Sequence, residues 1–243
     1  MSDPVFLVAA LPAPGRFVLD GPEGRHAAAV RRMRAGERLV LADGAGGLAA
    51  ATVVSAARDS VELDVGAGTT EPAPRPRLVV VQALPKGDRG ELAVQVMTEA
   101  GVDEIVPWQA SRCVTRWQGD RGKKAWQRWD STAREAAKQA RRAWVPTVAD
   151  PATTKAVAER LAAASAAYVL HEAASAPLAA LTPPATGEVV LVVGPEGGVA
   201  PEELEAFVAA GAQPVRLGPT VLRTSTAGVV ALAVVSAATG RWG

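Results

Sequence analysis

Two segments share a plan that constrains the fold more than any other feature of the chain. Residues 189–198, VVLVVGPEGG, place a buried-strand pattern before a glycine turn, and Pro201 is typical of a first helical turn. Residues 215–227, VRLGPTVLRTSTA, repeat this order, with a helix expected from about Thr224. A strand end, a glycine turn and a helix N-terminus form the crevice in which α/β proteins bind small molecules.

The remaining patterns predict two domains. Residues 1–70 contain five short strand patterns separated by turns and one helical stretch at 24–35, which favours a small β-barrel. The proline-rich segment 71–77, EPAPRPR, reads as a linker, so we place the boundary near residue 73. Beyond it, strand and helix patterns alternate, including a long helix over 120–142. This alternation predicts an α/β domain with a parallel sheet in residues 74–243.

Positive charge is concentrated in one stretch although the whole chain carries a net charge of only +1. Residues 112–142 contain ten basic and three acidic side chains, a net charge of +7, whereas residues 1–73 contain seven and nine, a net charge of −2. Basic side chains neutralise phosphates and aromatic rings stack on bases, so this stretch indicates nucleic acid. For its tryptophans we favour a packing role; they are Trp117, Trp126, Trp129 and Trp144.

Composition excludes several classes of site. One cysteine, Cys113, and two histidines argue against a disulfide or a structural metal site. No P-loop, dinucleotide-binding fingerprint or nucleophile elbow is present. We expect no signal peptide and no membrane span, and therefore a soluble cytoplasmic protein. The remaining interpretation is a protein that binds a small-molecule cofactor and brings it to a polyanion.

Specific motifs resemble a known family. GPEGG at 194–198 and LGPTVLRTSTA at 217–227 are similar to the loops of the SPOUT methyltransferases. Within that superfamily the chain resembles the bacterial RsmE family, which methylates N3 of a uridine in 16S ribosomal RNA. Further similar segments are LPKGDR at 84–89, MTEAGVDEIVP at 97–107 with the later Arg112, EAAKQARRAWVP at 135–146, and a looser pattern at His26, Arg31 and Gly36. Two departures are Ser225, where the family usually has Glu, and the lack of an arginine very near the N-terminus.

The resemblance implies a trefoil-knotted α/β methyltransferase domain at 74–243, preceded by a PUA-like β-barrel RNA-binding domain at 1–73. It also implies a homodimer, S-adenosylmethionine as cofactor, and 16S rRNA or the small ribosomal subunit as partner. Arg223 is the candidate catalytic residue. The implied cofactor-binding residues are Leu170, His171, Glu172, Gly194, Glu196, Gly197, Gly198, Leu217, Gly218, Val221 and Leu222. The implied RNA-binding residues are Arg31, Arg32, Arg112, Lys123, Lys124, Arg128, Gln139 and Arg142.

Each of these roles has a structural alternative. Glu196 either orients cofactor or substrate, or caps the helix that begins near Pro201. Arg223 either contacts RNA phosphate or a uracil oxyanion, or forms a surface ion pair. Gln139 and Arg142 either hold RNA or brace the long helix.

Other residues carry weaker expectations. For His171 we expect a backbone contact, and for Cys113 an inert core thiol. The resemblance implies that Lys86 and Glu99 lie near the site; the alternative is that they form an ordinary ion pair in solvent. Two other functions remain open: a SPOUT ribose 2′-O-methyltransferase, and an RNA-binding assembly factor without catalytic activity.

Overall fold

The structure, a computed structural model, describes residues 3–242 and divides into two compact units. The N-terminal unit comprises the described residues up to Ala73 together with Ala137–Val145. The C-terminal unit comprises Pro74–Ala136 and the described residues from Pro146 onward. A short segment from the middle of the chain therefore completes the N-terminal unit, which no local sequence pattern indicated.

The N-terminal unit is built on a five-stranded sheet with the order β1-β3-β4-β5-β2. All its strand pairs are antiparallel except β1 with β3. Alternating side chains of β4 and β5 are buried and form one side of the core. The strands are β1 (Val5–Leu7), β2 (Gly15–Leu19), β3 (Arg38–Ala42), β4 (Gly47–Ala56) and β5 (Val61–Thr70).

The helical stretch of this unit differs from the expected 24–35. It begins earlier, as α1 (Gly21–Arg25), and continues as a π-helical turn over His26–Val30. It ends there because Arg32 adopts a left-handed backbone conformation with φ of 54°.

The C-terminal unit contains a six-stranded parallel sheet with the order β11-β9-β10-β6-β7-β8. Its central strands are continuous apolar runs because helices cover both faces of a parallel sheet. The parallel α/β architecture predicted from the alternating patterns is thus confirmed. The strands are β6 (Arg77–Ala83), β7 (Glu104–Trp108), β8 (Thr147–Val148), β9 (Ala166–Leu170), β10 (Glu188–Val193) and β11 (Gln213–Val215).

The longer helices pack around this sheet. They are α2 (Arg89–Glu99), α3 (Gly119–Gln139), α4 (Thr154–Ala163), α5 (Pro201–Ala209) and α6 (Thr224–Ala238). The sequence interpretation did not include α4 or β8. It extended α3 to residue 142, but the helix ends at Gln139 because Arg141 has a left-handed φ of 55°. No helix within residues 3–242 combines the length and apolarity that crossing a membrane requires.

The tryptophans of the basic stretch are packing residues, as predicted. Trp129 is 3% exposed, and Trp117 and Trp126 pack against the same core. Trp117 and Trp129 meet edge to face, with ring centroids 4.9 Å apart. Trp144 is half-buried in the N-terminal unit, where its indole N–H donates to the carbonyl oxygen of Glu71 at 3.1 Å.

Candidate cofactor site

Three loops at the carboxyl ends of neighbouring parallel strands surround one cavity of about 460 Å³. They follow β9, β10 and β11, and they include residues 170–172, 194–198 and 216–223. Ligands of open α/β sheets bind at this edge, because the strand-to-helix loops there leave a crevice. We call this cavity the cofactor cavity.

All eleven residues expected to bind cofactor line this cavity, and so do Arg112 and Arg223. Three distant segments are therefore brought together as the resemblance implied, although the contribution of each residue to binding stays a prediction. The sequence interpretation missed several other wall residues: Arg89, Val193, Pro195, Val199, Arg216, Pro219, Thr220, Thr224 and Ala227. Arg89 and Arg216 could have been suspected, since Arg89 ends the recognised segment 84–89 and Arg216 precedes the one at 217–227.

The GPEGG turn requires glycine for two different reasons. Gly198 has φ of +72°, a conformation that disfavours any side chain, and its N–H donates to the carbonyl oxygen of Pro195 at 2.9 Å. Gly194 has ordinary backbone angles, but a Cβ there would lie 2.9 Å from Cγ2 of Val199. A Cβ on Gly197 would lie 3.3 Å from Cβ of Arg112. The turn therefore needs glycine at 198 for its backbone conformation, and at 194 and 197 because neighbouring side chains leave little room for a Cβ.

Arg112 braces this turn from a remote part of the chain. Its Nη1 donates to the carbonyl oxygen of Gly197 at 3.0 Å, across 85 sequence positions. Arg112 is expected from the resemblance to bind RNA, and the structure places it against the cofactor loop as well.

The helix-capping alternative for Glu196 is wrong. The carboxylate of Glu196 accepts a hydrogen bond from the backbone N–H of Lys86 at 3.1 Å. The start of α5 is instead capped by Glu203, which accepts from the N–H of Ala200 at 3.3 Å. Glu203 is buried and also accepts from the N–H of Ser111 at 2.8 Å and from the hydroxyl of Thr154 at 2.9 Å. Glu196 thus joins the glycine turn to the loop before α2, and its role in orienting a ligand stays a prediction.

His171 is held by its surroundings in a structural role. Its Nδ1 accepts a hydrogen bond from the N–H of Ala173 at 3.2 Å, and its own N–H donates to the carbonyl oxygen of Val215 at 2.8 Å. An accepting Nδ1 carries no hydrogen, so the neutral ring has its hydrogen on Nε2. These contacts hold the loop, and the backbone contact to a ligand expected at His171 stays a prediction.

Arg223 immediately precedes α6 at the cavity wall. Its carbonyl oxygen accepts from the N–H groups of Thr226 and Ala227, both at 2.9 Å. The surface-ion-pair alternative is wrong, because no carboxylate in the described part of the chain forms an ion pair with the exposed guanidinium. The side chain is therefore available to a ligand.

Ser225 stands where the related family usually has Glu. It is 3% exposed in the first turn of α6 and is not part of the cavity wall, unlike its neighbours Thr224 and Ala227.

The residues expected to bind RNA fall into both units. In the C-terminal unit, Lys123 and Lys124 are exposed on α3, and Arg128 Nε donates to Glu91 at 3.0 Å. In the N-terminal unit, Arg31 and Gln139 line a cavity of about 80 Å³ with His26, Lys138 and Arg141, among others. Arg32, which follows the cavity residue Arg31 in the chain, is exposed. Arg142 is half-buried, and its backbone N–H donates to the carbonyl oxygen of Ala137 at 2.9 Å.

The remaining candidates do not contribute side chains to the cofactor cavity. Cys113 is buried, and burial raises the pKa of its thiol, so a thiolate is disfavoured. Glu99 accepts from Nε2 of Gln95 at 2.9 Å on the exposed side of α2. Lys86 approaches the site through its backbone N–H. Within residues 3–242, no group of three His, Cys, Asp or Glu side chains is placed to hold a metal ion.

Comparison with known proteins agrees with this geometry. Residues 71–236 match the family model of an RNA methyltransferase domain, and residues 19–66 match that of an RNA methyltransferase PUA domain. The ribosomal RNA small subunit methyltransferase E of Mycobacterium bovis is 49% identical over 243 residues, covering 98% of this chain and 93% of that protein.

Two solved structures share the whole fold. The ribosomal RNA small subunit methyltransferase E of Neisseria gonorrhoeae, bound to S-adenosyl methionine, is 27% identical with a TM-score of 0.87, covering 97% of this chain and 98% of that one. A methyltransferase of Legionella pneumophila in complex with the same cofactor is 28% identical with a TM-score of 0.87, covering 98% of each chain. The chain therefore belongs to the ribosomal RNA small subunit methyltransferase E family.

Proposed function

We propose that this protein transfers a methyl group from S-adenosylmethionine to N3 of a uridine in the 16S ribosomal RNA of the small subunit. The observation that carries the proposal is the convergence of three strand-end loops and Arg223 on one cavity of about 460 Å³. The relatives named above support the cofactor and the rRNA substrate. The choice of N3 is supported by the sequence resemblance.

The cofactor cavity fits adenosylmethionine. Its volume lies in the range of about 300–1,000 Å³ that is usual for small-molecule sites. Leu170, Leu217 and Leu222 supply apolar wall, and the backbone of residues 194–198 supplies amide and carbonyl groups. When bound, adenosylmethionine supplies an electrophilic methyl group on a sulfonium. The loops hold and orient it, and positioning contributes much of the rate of such a displacement.

Arg223 is placed to assist the substrate. Uridine N3 carries a proton at neutral pH and must lose it before or during attack on the methyl group. The guanidinium of Arg223 stabilises the negative charge that then develops on the uracil oxygens. No carboxylate in residues 3–242 forms an ion pair with it, so its charge is not offset by a protein partner.

We infer that residues 1–73 act as the PUA-like RNA-binding domain and residues 74–243 as the trefoil-knotted methyltransferase domain. The match of residues 19–66 to a PUA model supports the first assignment. The cationic cavity at Arg31 and Gln139, the cavity arginine Arg112 and the lysines of α3 are the proposed RNA contacts.

We also propose that the protein acts as a homodimer through α2 and α6. The helix α6 carries no charged residue from Thr224 to Ala238, and a helix that is apolar nearly all round is usually buried. On the helix packed against it, Leu92 is 45% exposed. Light scattering of the purified protein tests this proposal, and a monomeric mass at micromolar concentration would contradict it.

Product mapping tests the catalytic proposal. Small subunits from a strain lacking its own family member are incubated with the protein and labelled S-adenosylmethionine, and digested rRNA is analysed by mass spectrometry. We expect 3-methyluridine at one position. A 2′-O-methylated product would favour the ribose methyltransferase alternative. Calorimetric binding of adenosylmethionine without any methyl transfer would favour an assembly factor.

A further inference from the structure

A second cavity in the C-terminal unit is not explained by cofactor binding. It has a volume of about 190 Å³ and is formed by the start of α2, by residues 115–117 and by the first half of α3. We call it the Trp129 cavity. The first turn of α2 borders both cavities, because Arg89 lines the cofactor cavity and Gly90 lines the Trp129 cavity.

Two indole N–H groups at this cavity form no hydrogen bond with any described residue. Three other tryptophans are satisfied: Trp108 by Thr154 at 3.2 Å, Trp126 by Ala149 at 2.9 Å and Trp144 by Glu71 at 3.1 Å. Within residues 3–242, Trp117 and Trp129 form no such bond, and both line the Trp129 cavity. Trp129 is 3% exposed, with its Nε1 against Gly90 of the cavity wall. Both N–H groups can therefore donate to the acceptor atoms of a ligand in this cavity.

The charges around the cavity favour an anion. Arg116, Arg121 and Arg128 line it, against the single carboxylate of Glu91, which is engaged by Arg128 at 3.0 Å. Arg116 is held by the carbonyl oxygens of Ala110 and Ser111, at 3.2 and 2.9 Å. Arg121 is exposed and forms no ion pair within the described residues. Its guanidinium is therefore the one most available to a ligand.

The N-terminus of α2 adds further donors. Its N-cap residue, Asp88, makes no side-chain hydrogen bond to the first turn, and Gly90 and Glu91 of that turn line the cavity. The first amides of a helix attract anions, because they lack intrahelical acceptors and lie at the positive end of the helix dipole.

We propose that the Trp129 cavity binds a phosphodiester group of the RNA next to the target nucleotide. This inference rests on the proposed function. The cavity offers two indole N–H groups, helix amides and Arg121, and a phosphodiester presents acceptor oxygens and one negative charge to them. The shared first turn of α2 places this phosphate site beside the cofactor cavity, so a phosphate bound there fixes the register of the RNA on the enzyme.

The test measures how strongly the full-length protein binds an unmodified transcript of 16S rRNA over a series of salt concentrations. Arg121→Gln removes one exposed cationic contact, and Lys155→Gln removes an equally charged side chain on α4 that is 88% exposed. We expect Arg121→Gln to weaken binding about fivefold to tenfold and to lower the slope of log affinity against log salt by about one. Lys155→Gln should bind the RNA with the same affinity and salt slope as the wild type. Neither substitution should change the calorimetric affinity for adenosylmethionine.

A second variant separates the neutral donor from the charge. Trp129→Phe keeps an aromatic ring but removes the N–H, so we expect about threefold weaker RNA binding at an unchanged salt slope. The proposal would be overturned if Arg121→Gln bound RNA with the affinity and salt slope of the wild type. It would also be overturned if Lys155→Gln lost as much RNA affinity as Arg121→Gln. A loss seen only with intact small subunits, and not with free RNA, would assign the cavity to a ribosomal protein instead.

The outcomes of this test and of product mapping are independent. If the salt slope changes as expected but no methylated nucleoside forms, the cavity binds RNA phosphate and the proposed catalytic function is wrong. If 3-methyluridine forms while the variants bind RNA like the wild type, the catalytic function stands and the phosphate site does not.

Discussion

Arg112 Nη1 donates a hydrogen bond to the carbonyl oxygen of Gly197 at 3.0 Å. This contact joins the loop after β7 to the glycine turn after β10, so one guanidinium fixes a backbone that the cofactor would touch. Arg112 therefore has a second role beside the RNA contact that its motif implies.

Replacing Arg112 by Ala should weaken adenosylmethionine binding about fivefold to tenfold, because one charge-assisted hydrogen bond to the turn is lost. Isothermal titration calorimetry without RNA measures this effect directly. Arg134→Ala is the matched control, since Arg134 is exposed on α3 and lines none of the cavities described above. Equal cofactor affinity in Arg112→Ala and the wild type would show that the turn needs no brace.

Gly197→Val should abolish measurable adenosylmethionine binding, a loss of more than about 100-fold. A Cβ at Gly197 already lies 3.3 Å from Arg112 Cβ, and the two added methyl groups must displace either that side chain or the ligand. A thermal melt followed by circular dichroism checks that Gly197→Val remains folded, so that the lost affinity reports on the turn. Retained calorimetric affinity in Gly197→Val would remove this steric argument.

Arg223→Ala should lower kcat for rRNA methylation by about 100-fold or more while the melting temperature stays within about 2 °C. The side chain makes no ion pair within residues 3–242, and the backbone of Arg223 alone supports the start of α6. Arg223→Lys should recover part of the rate by restoring the charge. Unchanged turnover, or a variant that unfolds, would contradict the assignment.

Glu203→Ala should lower the free energy of unfolding by about 2 to 3 kcal/mol, because three donors lose one buried acceptor. The neighbouring Glu202 is exposed in the same helical turn, so Glu202→Ala should cost about 0.5 kcal/mol. Urea unfolding followed by circular dichroism compares the two. Similar midpoints for both variants would mean that Glu203 does not anchor α5.

Local patterns in the sequence determine the secondary structure around the site. Continuous apolar runs predict β6 and β10, and the glycine turns at 194–198 and 217–218 follow from strand patterns that end abruptly. The start of α6 at Thr224 was predicted at the observed residue. These features depend on residues close together in the chain, so a short stretch of sequence is enough to predict them. The sequence interpretation missed α4, although Thr153 is a favoured N-cap residue and Val157 and Leu161 have helical spacing.

The tertiary structure alone decided which distant groups meet. Glu203, rather than Glu196, caps α5, and Arg112 reaches Gly197 across 85 positions. Ala137–Val145, which includes the last residues of α3, completes the N-terminal unit, and Nε1 of Trp129 lies against Gly90. Such contacts depend on the order and register of the parallel strands, which bring loops together at one edge of the sheet. Residue type and spacing along the chain do not encode that order, so the motifs indicate a cofactor site while only the fold shows what braces it.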